Sequence, residues 1–187
     1  MSLVSSSIRD RLRAETRPEH DRLENGLRLT DPDLTLERYR EVMARFFAFW
    51  SGWEPRMAAV LTDEALLAPR RRLHLLRADL LALGIAPETL PACEPPPIHS
   101  RSEAFGSLYV MEGSTLGGRV ILKRLGALGL SPDTGGCAYF AGYGAETGAM
   151  WTRFLERLEA EADNGNAPAI IRGARATFAR LGDWMLG

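Results

Sequence analysis

Apolar residues recur along this chain at steps of three and four, rarely in the alternation that marks a strand. Ile8, Leu12, Thr16, His20, Leu23 and Leu27 share one such helical face. Pro18 interrupts it, and Thr16-Arg17-Pro18-Glu19 reads as a capping box, so the helix is expected to kink or restart there. Thr35 can cap a second helix whose face carries Tyr39, Val42, Met43, Phe46, Phe47, Phe49 and Trp50. Ser51-Gly52 is expected to bend it before Glu54–Leu61 continues. Arg71–Leu83 is a third helix, with Leu73, Leu76, Leu80 and Leu83 inward and Gly84 as its stop. Leu90–His99 holds four prolines and reads as a surface connector within one domain. Ser102–Leu128 is a fourth long helix, and Thr134–Gly144 a loop or broken turn. Ala145–Ala162 and Ala169–Leu186 close the chain, separated by Asp163-Asn164-Gly165-Asn166. The expected fold is all-α, a single domain over residues 1–187.

The fourth helix contains an anomaly. Tyr109-Val110-Met111-Glu112-Gly113-Ser114-Thr115-Leu116-Gly117-Gly118-Arg119 places three glycines in a helical context. Each costs about 0.5–1 kcal/mol relative to alanine. Something must approach the bare backbone closely to offset that. Gly113 and Gly117 lie four apart on one face, a spacing that serves helix–helix packing equally with a planar ligand. No strand precedes the segment and no Gly-Lys-Ser/Thr follows, so it is not a phosphate loop.

Composition narrows the function classes. The net charge of -1 argues against nucleic acid recognised by bulk charge. The two cysteines, Cys93 and Cys137, have no paired spacing, so reduced thiols are expected. No apolar run approaches the ~20 residues of a membrane span, and Met1–Ser7 lacks the basic start of a signal peptide. A soluble, cytoplasmic protein without a membrane partner is the expectation. Of the three histidines, His74 sits among arginines and His99 on the proline-rich connector, both expected at the surface. His20 stands on the core stripe in place of an apolar residue and is the best candidate ligand. Arg13 and Arg17 precede it, either as a solvated basic face or as partners for an anionic group at a pocket rim.

Taken together, Leu12-Arg13-Ala14-Glu15-Thr16-Arg17-Pro18-Glu19-His20 and Leu108–Gly118 resemble the proximal-histidine and distal helices of heme oxygenases of the bacterial branch. Weaker similarity runs through Tyr39–Leu61, Leu76–Gly84 and Trp151–Leu186. The resemblance implies heme held between a proximal and a kinked distal helix. It makes His20 the axial iron ligand and places Gly113 and Gly117 over the distal face. Arg13 takes the place of a basic propionate contact, and Tyr109 matches a tyrosine that reaches the other propionate. Lys123 is a further propionate candidate, and Arg153 stands beside the position of a C-terminal basic contact. Many members carry an aspartate directly after the first distal glycine, where it orders water. Here that residue is Ser114, which with Thr115 becomes the candidate water-holding group.

The implied reaction opens heme, both cofactor and substrate, to biliverdin, carbon monoxide and ferrous iron with oxygen and an external electron donor. A neutral imidazole supports oxygen binding without the electron push of a thiolate that favours O–O cleavage. Implied partners are a ferredoxin, flavodoxin or reductase as donor, and a phytochrome as acceptor of biliverdin. The alternative is a heme carrier or sensor that leaves the porphyrin intact. A di-iron protein would need Glu-x-x-His repeats, which this sequence lacks. A thiamin-type hydrolase would need a nucleophilic cysteine, and neither Cys93 nor Cys137 has a recognisable setting.

Overall fold

The computed structural model describes residues 7–187 and is helical throughout apart from its connections. The segment read for a leader, Met1–Ser7, lies outside that range except for Ser7. In chain order the helices are α1 (Ile8–Glu15), α2 (Arg17–Leu27), α3 (Leu36–Val60), α4 (Glu64–Leu67) and α5 (Leu73–Ala82). After the proline-rich connector come α6 (Arg101–Gly113), a 3₁₀ turn at Ser114–Gly117, and α7 (Gly118–Gly126). The chain ends with α8 (Ala138–Ala141), α9 (Thr147–Glu161) and α10 (Ala167–Leu186). Among the described residues no helix is long and apolar enough to cross a membrane.

The predicted restart at Pro18 is present. α1 ends at Thr16 (φ −116°, ψ 6°), and Pro18 occupies the first turn of α2, where its missing N–H costs nothing. The expected capping box does not form. The Thr16 hydroxyl donates backwards to the Leu12 carbonyl at 2.8 Å and closes α1 instead. Thr35 does cap α3, accepting from the Arg38 amide at 3.1 Å.

α3 runs unbroken through Ser51-Gly52, with Pro55 inside it. Gly52 serves a different purpose. A Cβ there would overlap the Cys93 carbonyl, so the glycine lets the connector lie directly on the helix. The Cys93 amide donates to the Ala48 carbonyl at 2.8 Å, and Cys93 and Ile98 are buried. The connector is therefore part of the core and not merely surface.

The predicted Thr134–Gly144 loop contains α8, whose first amides, of Ala138 and Tyr139, donate to the buried Asp79 carboxylate at 2.7 and 2.8 Å. Such an end, capped from α5, has no local sequence signature. The predicted single helix Ser102–Leu128 is interrupted by the 3₁₀ turn, which separates α6 from α7.

α10 is the organising element. α6 crosses it with Gly106 and Gly173 at the contact, where a Cβ on either would overlap backbone of the other helix. α1, α2 and α3 also pack against α10. Buried side chains from these helices form one continuous cluster around Trp50, Tyr39, Phe49, Phe105 and Phe154.

Candidate functional site

α1 and α2 supply one wall of the candidate site. Leu12, Thr16 and Leu23 are buried, but the His20 side chain is 59% exposed. Within α2, His20 still shares a face with Leu23 and Leu27, and it is the exposed member of that face. Its ring lies edge-on to Phe178 of α10, with centroids 6.4 Å apart. Its Nδ1 is 3.5 Å from Asp21 Oδ1 and 3.8 Å from Glu24 Oε2. Arg17 does not project to a rim; its Nε donates to the Asp21 carboxylate at 3.0 Å. The Arg17 hydrogen bond, with a lesser one from His20, holds the Asp21 carboxyl below its usual range.

The turn after α6 supplies the other wall, and its three glycines divide by role. A Cβ on Gly118 would overlap the Phe140 carbonyl of α8, so this glycine is a packing residue. A Cβ on Gly117 would meet nothing within 4 Å, and one on Gly113 only the edge of Trp151 at 3.7 Å. Beside them Leu116 and Val120 are large apolar side chains left 47% and 61% exposed. The Ser114 hydroxyl donates to the Met111 carbonyl at 2.6 Å and the Thr115 hydroxyl to the Glu112 carbonyl at 2.7 Å. These bonds satisfy carbonyls orphaned at the end of α6.

Arg13 and Tyr109 come together across the two walls. Burial raises the Tyr109 phenol pKa, and the nearby charges of Arg9 and Arg13 oppose the rise. Tyr109 packs on Trp151 with centroids 5.6 Å apart. Lys123 is exposed on α7. Arg153 lies elsewhere: it lines a groove between α4 and α9 with Leu66, Pro69 and Met150, and Glu146 is 3.9 Å away.

Beneath the turn is a buried polar cluster that the sequence reading missed. Glu112 Oε2 is 3.2 Å from Arg70 Nε, with both side chains under a tenth exposed. Glu112 Oε1 accepts from the Tyr143 hydroxyl at 2.7 Å. The Arg72 guanidinium stacks on the Tyr143 ring at 4.4 Å and donates to the Tyr139 carbonyl at 3.2 Å. Burial pushes the Glu112 carboxyl up, against its hydrogen bond with Tyr143 and the charges of Arg70 and Arg72. Burial likewise raises the Tyr139 phenol, opposed by Arg72 and by hydrogen bonds with Trp50 and Ser114. Trp151 and Phe178 were also missed; at helical spacing with Phe154 and Leu181 they read as ordinary core.

The candidate elements are one accessible imidazole, one stretch of bare backbone flanked by half-exposed apolar side chains, and a cationic and phenolic pair in Arg13 and Tyr109. They suit a flat, apolar, anionic molecule with a metal at its centre. Comparison with known proteins agrees. The chain is 34% identical to a heme oxygenase of Xanthomonas campestris pv. campestris, over 78% of this chain and 87% of that protein. It is 29% identical to heme oxygenase PigA of Pseudomonas aeruginosa, over 97% and 96% of the two chains. Its fold superposes on the NO- and CO-bound heme oxygenase of Neisseria meningitidis with a TM-score of 0.79 at 24% identity, covering 97% of this chain and 91% of that one. The Heme oxygenase family model matches residues 6–186, so the chain belongs to the heme oxygenase family.

Proposed function

We propose that this protein binds heme as its substrate and opens it to biliverdin, carbon monoxide and ferrous iron, using oxygen and electrons from an external donor. The observation that carries the site assignment is the pairing of an exposed His20 imidazole with a Gly117 whose missing side chain leaves open space. The residues fit the molecule: a neutral nitrogen ligand, a half-exposed apolar wall and basic groups for carboxylates. When bound, heme supplies the iron that activates oxygen and the porphyrin edge that is opened.

His20 is the residue to ligate iron. Asp21 and Glu24 lie on the Nδ1 side, which leaves Nε2 to bind and lets the carboxylates orient the ring. Gly113 and Gly117 keep the distal side free of any acid or base large enough to crowd it. The Thr115 hydroxyl proton is committed to a backbone carbonyl, so its oxygen is the acceptor that holds water, while the Ser114 hydroxyl is engaged with the Met111 carbonyl and the Tyr139 phenol. Arg13, Tyr109 and Lys123 bind propionates at the edge. Arg153 has the least support, since it lines the other groove. A ferredoxin, flavodoxin or reductase would meet the arginine-bearing rim near Arg9 and Arg13.

Addition of hemin, followed by ascorbate in air with catalase present, tests the reading by visible spectroscopy. Loss of the Soret band with biliverdin recovered in acid extract is the expected result. A Soret band that survives reductant identifies a carrier, and no Soret shift removes the heme site. His20→Ala is expected to abolish normal axial ligation and most turnover; unchanged spectra and activity would reassign the ligand.

A further inference from the structure

The glycines that open the site remove the side chains that would hold the turn in place. Gly113 has only a ring edge near its Cβ position and Gly117 has nothing. Whatever fixes this turn must act from its other side, and Glu112 is the side chain that does. It sits at the end of α6 and points away from the open space into the buried cluster. Its carboxylate meets Arg70 on one oxygen and Tyr143 on the other. Arg70 is itself pinned, donating to the Leu66 carbonyl at 2.8 Å and the Met150 carbonyl at 3.3 Å. Glu112 therefore ties the turn to the loop after α8 through its hydrogen bond with Tyr143, and to α4 and α9 through a buried charge contact with Arg70 in which neither Glu112 Oε2 nor Arg70 Nε has a hydrogen-bond partner.

Stability alone does not explain a carboxylate here. The buried face of α6 is otherwise largely apolar, through Phe105, Leu108 and Met111. Replacing a buried ion pair with well-packed apolar residues is often neutral or stabilising, whereas removing one partner is costly. The Tyr143 hydrogen bond contributes direction, because it is satisfied at one rotation of the helix end, while the Arg70 charge holds the carboxylate in the cluster.

We propose that Glu112 is a positioning residue. Through Arg70 and Tyr143 it fixes the rotation of the Gly113–Gly117 turn and so decides which edge of the porphyrin is opened. The product half of this proposal rests on the heme-degrading reading; the placement of the turn does not.

The test compares wild type with Glu112→Gln, Tyr143→Phe and the apolar pair Arg70→Met with Glu112→Leu. Thermal melting reports folding. Amide exchange of peptides covering Ser114–Gly118, against α10 as reference, reports the turn. Chromatography of the biliverdin isomers reports the edge opened. Glu112→Gln is expected to speed exchange at the turn by roughly tenfold, and Tyr143→Phe by a smaller factor, with α10 unchanged. The apolar pair is expected to melt near wild type while the turn still exchanges faster and the isomer mixture broadens. If the apolar pair restores both exchange and isomer ratio, Glu112 is packing only and the proposal falls. Faster exchange with an unchanged isomer ratio breaks the link to the product. If wild type releases no biliverdin, the heme reading has failed separately, and the exchange comparison alone decides whether Glu112 holds the turn.

Discussion

The middle of α6 and the turn that follows it use glycine in opposite ways. At the α10 crossing, Gly106 and Gly173 are bare because backbone of the opposing helix occupies the space a side chain would take. About one turn past the C-terminal end of α6, Gly117 is bare and nothing occupies the space. The first kind is a packing requirement, set by the fold itself. The second is a helix-propensity cost that the folded protein leaves uncompensated, so the gain must come from something outside the chain. Gly118, next in sequence, belongs to the first kind, since Phe140 backbone lies against it. Two adjacent glycines thus answer to different partners.

Substitutions can break this distinction, and the crossing should respond most. Gly106→Ala or Gly173→Ala forces a methyl into backbone that cannot yield. Each is expected to cost about 3 kcal/mol, lowering the melting temperature by roughly 6–12 °C in a thermal scan. Gly118→Ala should cost about 1–3 kcal/mol by the same measurement, because α8 is a short element that can shift in part. Gly117→Leu should keep stability within about 1 kcal/mol yet weaken hemin binding by about tenfold or more in a Soret titration. Normal binding and turnover in that variant would make Gly117 irrelevant to the site. Gly117→Ala is the smallest and most pointed change. Its backbone, at φ −78° and ψ −13°, suits alanine. The ligand-free protein should gain about 0.5–1 kcal/mol, an effect opposite in sign to that at Gly118. A loss there would show that the apparent open space is filled.

Much of this was legible in the residues because long helices announce themselves by period. The Thr35 cap and the Gly84 stop were in the chain, and the structure has both. The two wall segments were found as motifs. The exposure of His20 was not, because periodicity places a residue on a face without showing what covers it. Gly106 and Gly173 passed unnoticed, since a single glycine in a helix does not say what approaches it. Glu112, Arg70 and Arg72 were missed because charge is ordinarily read as solvent-facing, and only assembly shows three such side chains buried together. α8 was missed for a related reason: its cap, Asp79, is 59 residues from Ala138.

The position of α10 in chain order has a consequence for synthesis. It follows every other helix, and both walls of the heme site pack against it: α6 through the glycine crossing, α2 beside Phe178. A nascent chain that has completed α1 through α9 can set α9 against α1 and α6, but it lacks the glycine crossing and the Phe178 ring beside His20. Full apposition of the two walls therefore awaits emergence of α10, which makes this helix the last piece of scaffold to arrive.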